Sequence, residues 1–249
     1  MSDRTKTLVV IGGSRGIGAA TACLAAKAGY SVAIGYRNRR DRAISIVSGI
    51  QTEGGKAQAF QIDVRSVESV ECFFDQVVER FSIFCAVANC AGISGRVSGF
   101  MDLSPAMLNE VFATNLTGTF YCVQAAARRM AQSRGGCGGS IVNLSSEAAR
   151  FGGNRISPYA ASKAGVAAMT IGVARELAAE GIRLNAVSPG VIDTDQQEGI
   201  TVERRSALIS DIPLGRMGQA DEVAKVILWL LSNEASYMTG SVVTVSGGR

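Results

Sequence analysis

Seven short runs rich in β-branched and apolar residues, at 7–11, 31–36, 57–63, 84–89, 140–145, 183–188 and 242–245, alternate along the chain with stretches of helical periodicity. The helical stretches fall at about 16–29, 38–53, 66–82, 106–133, 158–181 and 219–232. This alternation constrains the fold more than any other feature. Strands separated by helices pair in parallel through right-handed crossovers, and the resulting sheet must be covered on both faces. The prediction is an α/β chain: a single doubly wound domain over 1–249, with a mostly parallel seven-stranded sheet and helices on both faces. No Pro/Gly-rich linker divides the 249 residues, and no solenoid-like repeat is present. In such sheets ligands bind outside the carboxyl ends of the strands.

Composition excludes several classes of function. With 47% hydrophobic and 18% charged residues, the chain can bury a core and is not a disordered segment. A formal charge of +4 is scattered, without a basic block interleaved with aromatics, so no nucleic-acid partner is expected. No apolar segment is long enough to span a bilayer, and the N-terminal "MSDRTKTLVVIGG" lacks the pattern of a secretory signal. The six cysteines are dispersed and form no C-x-x-C, so they read as buried free thiols in a cytoplasmic protein. Histidine is absent altogether. The commonest general base and the commonest zinc ligand are thus both missing, and no metal site is expected.

The first strand runs into "GGSRGIG", Gly12 to Gly18, at the start of a helix. A glycine-rich turn there lets backbone N–H groups approach a phosphate at the positive end of the helix. A purely structural turn is the alternative. The second strand ends in "GYRNRR", with Tyr36, Arg37 and Asn38 and no acid before Asp41. An NAD-selective site usually has an acid here, for the ribose 2′-hydroxyl. A solvated basic face is one reading of these arginines. The other is a 2′-phosphate site with Arg15 reaching in from the glycine turn, because cations at a helix N-terminus are otherwise unfavourable by roughly 0.3–1 kcal/mol each. The second reading points to NADP.

Further on, "SPYAASKAG" places Tyr159 and Lys163 one helical turn apart, with Ser157 as the expected N-cap and Pro158 as the first helical residue. A phenol titrates near pH 10, and a cation about 4 Å away supplies roughly 4 kcal/mol at an effective dielectric near 20, enough to bring it towards 7. Such a pair makes an acid–base group without histidine. A chance aromatic–lysine pair looks the same in isolation.

Taken together, "GGSRGIG", "QIDV" at 61–64, "NCAG" at 89–92, "TNLTG" at 114–118, "NLSS" at 143–146, "YAASK" at 159–163 and "SPGVIDT" at 188–194 resemble the short-chain dehydrogenase/reductase family over nearly the whole chain. The similarity is greatest to bacterial NADP-type members of the sugar dehydrogenase-like and 3-oxoacyl-carrier-protein reductase-like kinds. The resemblance implies a Rossmann fold and a catalytic set of Asn115, Ser146, Tyr159 and Lys163. Tyr159 would exchange a proton with the substrate oxygen, and Lys163 would lower its pKa and hold the nicotinamide ribose. Ser146, chosen over Ser145 by its spacing to Tyr159, would hydrogen-bond the substrate oxygen, and Asn115 would hold a proton-carrying water chain. It further implies cofactor contacts from Gly12, Ser14, Arg15, Gly16, Ile17 and Gly18, then Tyr36, Arg37 and Asn38. Asp63 and Val64 would meet adenine, while Asn89, Ala91 and Gly92 would line the cofactor beside Tyr159 and Lys163. Pro189, Gly190, Ile192 and Thr194 would follow at the nicotinamide. Three positions depart from the family pattern: Ile11 for threonine, Cys90 for asparagine and Ser246 for aspartate.

The expected function is metal-free hydride transfer between NADP(H) and a small carbonyl or alcohol substrate, as a ketone or 3-oxoacyl reductase. A sugar 1-dehydrogenase is the alternative, and a non-catalytic NADP-binding sensor the alternative of another class. An insertion at about 195–212 is expected to form a substrate lid. The helix around "YAASKAGVAAMTIGVARELAAE" is small or apolar on nearly every side, which suggests a second buried face. The resemblance implies a homotetramer.

Overall fold

The computed structural model describes residues 6–195 and 199–249. Seven strands form one parallel sheet: β1 (Thr7–Ile11), β2 (Ser31–Tyr36), β3 (Lys56–Gln61), β4 (Ala86–Asn89), β5 (Gly139–Leu144), β6 (Ile182–Pro189) and β9 (Val242–Val245). Their order across the sheet is β3-β2-β1-β4-β5-β6-β9. A second, two-stranded sheet pairs β7 (Ile192–Asp193) with β8 (Gly218–Gln219).

Alternation along β1 shows how the sheet serves two cores. Val9 and Ile11 face a layer built from α3 (Val67–Phe81), α5 (Gly118–Met130) and α7 (Ser157–Leu177). Leu8 and Val10 face the opposite layer, from α1 (Gly16–Lys27), α2 (Arg40–Thr52) and α9 (Ala220–Leu231). Both faces are therefore dry, and every residue of β1 and β2 is buried, as expected of a central parallel strand. α3 forms because Val70, Phe73, Phe74 and Val77 repeat at helical spacing and Ser66 caps its start, accepting from the Ser69 N–H at 3.1 Å. Burial of Phe73 or Phe74 stabilises the fold by about 1.5–3 kcal/mol each.

The expected strands and helices are all present, with boundary changes at several expected site positions. β3 ends at Gln61, which leaves Asp63 in the following turn. The single helix expected at 106–133 is three pieces: α4 (Pro105–Phe112), a π-helical turn at Ala113–Thr117, and α5. The Asn115 side chain is held by the backbone of another loop, and the Thr119 hydroxyl donates to the Asn115 carbonyl at 2.7 Å, which favours the wider turn. α7 begins at Ser157 itself, with Ile156 in the cap position and no side-chain cap, so the expected Ser157 cap is one residue out. A short helix, α6 (Ala148–Phe151), precedes it, and α8 (Val202–Ser210) lies within the expected insertion. Residues 196–198 of that insertion lie outside the described residues. Among the described residues no helix is long and apolar enough to cross a membrane.

Candidate active site

The strand order reverses between β1 and β4, and the loops leaving the carboxyl ends of β1, β2, β4, β5 and β6 meet around that crevice. At its floor the glycine turn is held tightly. The N–H groups of Gly12 and Gly13 donate to the Gly35 carbonyl at 2.9 and 3.1 Å, and the Cys90 N–H donates to the Ile11 carbonyl at 2.9 Å. Gly12 has φ +79°, and a Cβ there would lie 2.8 Å from the Ala91 nitrogen. At Gly18 a Cβ would lie 2.3 Å from the Gly12 carbonyl oxygen. α1 then starts with no side-chain cap at Arg15 and no acid in its first turn. A close-approach glycine turn at an uncapped helix N-terminus fits the pyrophosphate of a dinucleotide. Ser14, Gly16 and Ile17 are half-buried in this turn and Arg15 is exposed. Thr194 lies over it, for a Cβ on Gly16 would be 3.5 Å from the Thr194 methyl.

At the end of β2, Tyr36 is buried, Arg37 half-exposed and Asn38 exposed. Arg37 pairs with Asp63 at 3.6 Å, and Arg65, which sequence reasoning passed over, grips the same carboxylate at 2.5–3.2 Å. The Arg65 guanidinium, chiefly by its hydrogen bonds, pulls the Asp63 carboxyl down to about 2. These residues line a cavity of about 460 Å³. The signal for Arg65 was an aspartate just past a strand, whose carboxylate accepts from the N–H two residues on. A second arginine the sequence did not single out, Arg42 of α2, pairs with Asp195. Val64 is buried against Gly118, where a Cβ would meet its side chain at 2.8 Å. Asn89 is buried at the end of β4, its side-chain amide unpartnered among the described residues.

The departures from the family pattern have local consequences. Ile11 is fully buried in the core. Burial pushes the Cys90 thiol up to about 12. Ser246 donates to the Arg249 carbonyl at 2.8 Å. All six cysteines are free; Cys72 and Cys137 are exposed, against the expectation of buried thiols.

The reacting end lies beyond β5. Ser145 is turned inward, donating to the Lys163 carbonyl at 2.9 Å, whereas the Ser146 hydroxyl accepts from the Ala148 N–H at 3.2 Å. Lys163 is buried, and its ammonium donates to the Leu144 carbonyl at 2.6 Å, 5.9 Å from the centre of the Tyr159 ring. Asn115, also buried, holds the loop after β4 from both sides: Oδ1 accepts from the Ile93 N–H and Nδ2 donates to the Ile93 carbonyl, each at 2.8 Å. Its Nδ2 also donates to Ser162 on α7 at 3.0 Å. A Cβ on Gly92 would touch both Lys163 Nζ, at 3.3 Å, and Asn115 Oδ1, at 3.4 Å. The four expected catalytic residues are thus brought into one place from three chain segments: the π-helical turn, the loop after β5, and α7. Beyond them, Pro189 ends β6, and the Gly190 N–H donates to the Val245 carbonyl at 2.9 Å. Ile192 is buried in β7.

The electrostatics differ from the expectation in one respect. Burial raises the Tyr159 phenol above its ordinary value, and the Ser146 hydroxyl opposes the rise. Burial likewise lowers Lys163, to about 8. The lysine charge is directed to Leu144 and desolvated, so it does not make the phenol acidic in the protein alone.

A parallel doubly wound sheet with a phosphate-type glycine turn and a Ser–Tyr–Lys cluster at its carboxyl edge defines an oxidoreductase of the dinucleotide-binding class. Comparison with known proteins agrees. Residues 11–249 match a family model described as enoyl-(acyl carrier protein) reductase. The chain is 42% identical over 243 residues to the uncharacterized oxidoreductase YgfF of Escherichia coli K12, covering 97% of this chain and 98% of that protein. It is 36% identical to the 3-oxoacyl-[acyl-carrier-protein] reductase FabG of Staphylococcus aureus, covering 98% of each. It is also 38% identical to the L-rhamnose 1-dehydrogenase (NAD(P)(+)) of Azotobacter vinelandii, covering 98% of this chain and 96% of the other. A crystal structure of a dehydrogenase/reductase from Sinorhizobium meliloti 1021 superposes with a TM-score of 0.90 at 34% identity, over 98% of this chain and 94% of that one. The chain belongs to the short-chain dehydrogenase/reductase family and is an NAD(P)-dependent oxidoreductase.

Proposed function

We propose that the protein is an NADP(H)-dependent reductase of ketones or 3-oxoacyl groups, working without a metal through Asn115, Ser146, Tyr159 and Lys163. The observation that carries the reading is the buried Lys163 ammonium 5.9 Å from the centre of the Tyr159 ring, beside a Ser146 hydroxyl that lacks the inward bond holding Ser145. When bound, NADP(H) supplies the hydride. Ser146 donates a hydrogen bond to the carbonyl oxygen, and Tyr159 gives that oxygen its proton as the alkoxide develops. A phenol raised by burial keeps its proton at neutral pH, which suits the reductive direction. Lys163 and Asn115, which both border Gly92, would hold the path by which the phenol regains a proton.

NADP is favoured by Arg37 at the end of β2, where no acid stands to bind a free ribose 2′-hydroxyl. Gly12, Ser14, Arg15, Gly16, Ile17 and Gly18 would hold the pyrophosphate, with Tyr36, Arg37, Asn38, Asp63 and Val64 at the adenosine end. Asn89, Ala91, Gly92, Pro189, Gly190, Ile192 and Thr194 would line the remainder. The single domain carries a substrate lid at about 195–212. Apolar side chains left exposed on α5 and α7 (Phe120, Ile171) and on α9 and β9 (Trp229, Val242) support burial between copies in a cytoplasmic homotetramer.

A sugar 1-dehydrogenase is the second reading, favoured by the similarity to the L-rhamnose enzyme. Consumption of NADPH against ketones and 3-oxoacyl thioesters, set beside NADP reduction by aldoses, decides between them. Tight cofactor binding with no turnover across that panel would overturn both and leave a sensor.

A further inference from the structure

Glu147 follows Ser146 directly, yet it is turned inward and only 3% exposed. Three contacts hold it. Its N–H donates to the Pro189 carbonyl at 2.9 Å, at the end of β6. Carboxylate Oε1 accepts from the Thr244 hydroxyl on β9 at 3.1 Å, and Oε2 accepts from the Arg150 guanidinium at 3.1 Å.

Burying a carboxylate is unfavourable unless its partners compensate, and here the compensation is thin. Arg150 is largely solvent-exposed, with 65% of its side chain accessible, so the ion pair contributes little. Thr244 is neutral. An apolar side chain of similar size would serve stability at least as well. What the carboxylate supplies is direction: the Ser146–Glu147 segment is fastened to β6 by its backbone and to β9 by its side chain. No other hydrogen bond ties the segment carrying Ser146 to the C-terminal strand among the described residues.

We infer that Glu147 is a positioning residue, which anchors the Ser146 segment to β9 and so holds the Ser146 hydroxyl on the Tyr159 phenol. The inference rests on the reading of Ser146 and Tyr159 as the reacting pair.

The test reads Tyr159 directly. With 3,5-difluorotyrosine in place of tyrosine, a phenol acidic enough to titrate while the protein stays folded, fluorine NMR follows its ionisation, and Tyr159→Phe assigns the signal. Lys163, the charged neighbour on the same helix, is kept in every variant. Losing a Ser146 hydrogen bond to the phenol would raise it, whereas losing a nearby negative charge would lower it, so the sign separates positioning from a direct charge effect. Glu147→Ala is expected to raise the Tyr159 midpoint by about half a pH unit or more, as Ser146→Ala does. Ser146→Ala combined with Glu147→Ala should add nothing further, and Glu147→Gln, which keeps an acceptor for Thr244, should stay near wild type. Arg150→Ala should leave the midpoint in place. A Glu147→Ala midpoint at or below wild type overturns the inference. Should that variant not fold, Thr244→Val takes its place, expected to raise the midpoint in the same direction and overturning the idea if it does not. Turnover of Tyr159→Phe is measured separately: wild-type rates there would remove the catalytic reading, while the titration still decides what Glu147 holds.

Discussion

The Lys163 ammonium donates a 2.6 Å hydrogen bond to the Leu144 carbonyl, and so joins the second turn of α7 to the carboxyl end of β5. This bond places the cation beside the Tyr159 ring and sets its charge towards the backbone. It makes the lysine both a structural tie and a cation 5.9 Å from the ring of the proposed proton donor.

That burial has a pH signature. Lys163 is lowered to about 8, below its ordinary 10.5, because the interior disfavours its charge. Between those two values the unfolded chain binds more protons than the folded one, so this residue makes stability rise with pH across that window. Urea unfolding of wild type and Lys163→Met between pH 7.5 and about 10 should therefore differ in slope, with the variant lacking the rise. Parallel curves would show that the lysine is not desolvated.

Tyr159→Phe removes the proposed proton donor and little else. Turnover should fall by about 10²–10⁴-fold or more, while NADPH affinity stays within about twofold. Stopped reaction rates together with NADPH fluorescence titration check both halves.

Arg37→Ala should weaken NADPH by about tenfold or more, the size expected for a charge-assisted contact to phosphate, and leave NADH nearly unchanged. Equal losses for the two cofactors, measured by titration at one ionic strength, would place the 2′-phosphate elsewhere.

Asp63 titrates near 2 because Arg65 holds it. Its stabilising contribution is complete above its unfolded value near 4 and is lost as pH falls towards 2. In Arg65→Ala the Asp63 carboxyl should return towards the ordinary range, read by carbon NMR across that acid window.

At Gly18 the Gly12 carbonyl leaves no space for a methyl group. Gly18→Ala should lower stability by about 1–3 kcal/mol, which in a chain of this size moves Tm by several degrees. Differential scanning calorimetry gives the answer, and an unchanged Tm would mean the turn is looser than described.

Much of this architecture was legible in the residues themselves. Alternating β-branched and helical runs dictated a parallel sheet, and β1, β2 and β9 fall where periodicity put them. Asn115, Ser146, Tyr159 and Lys163 were legible because they stand in spaced motifs, and spacing survives in one dimension. The π-helical turn at 113–117 was not, because it depends on Asn115 finding the Ile93 backbone 22 residues away. The same holds for Glu147, whose partner Thr244 is 97 residues distant.

The sequence by itself thus determined the order of elements, the glycine turn and the candidates for the reacting groups, since these follow from local backbone preference and side-chain chemistry. Only the tertiary structure decided where charge is felt. Burial, set by helices packing from both sides, raises Tyr159 and lowers Lys163 together, and the Leu144 carbonyl, which no motif names, takes up the ammonium. Desolvation is a property of the surrounding fold, and no stretch of chain carries it alone.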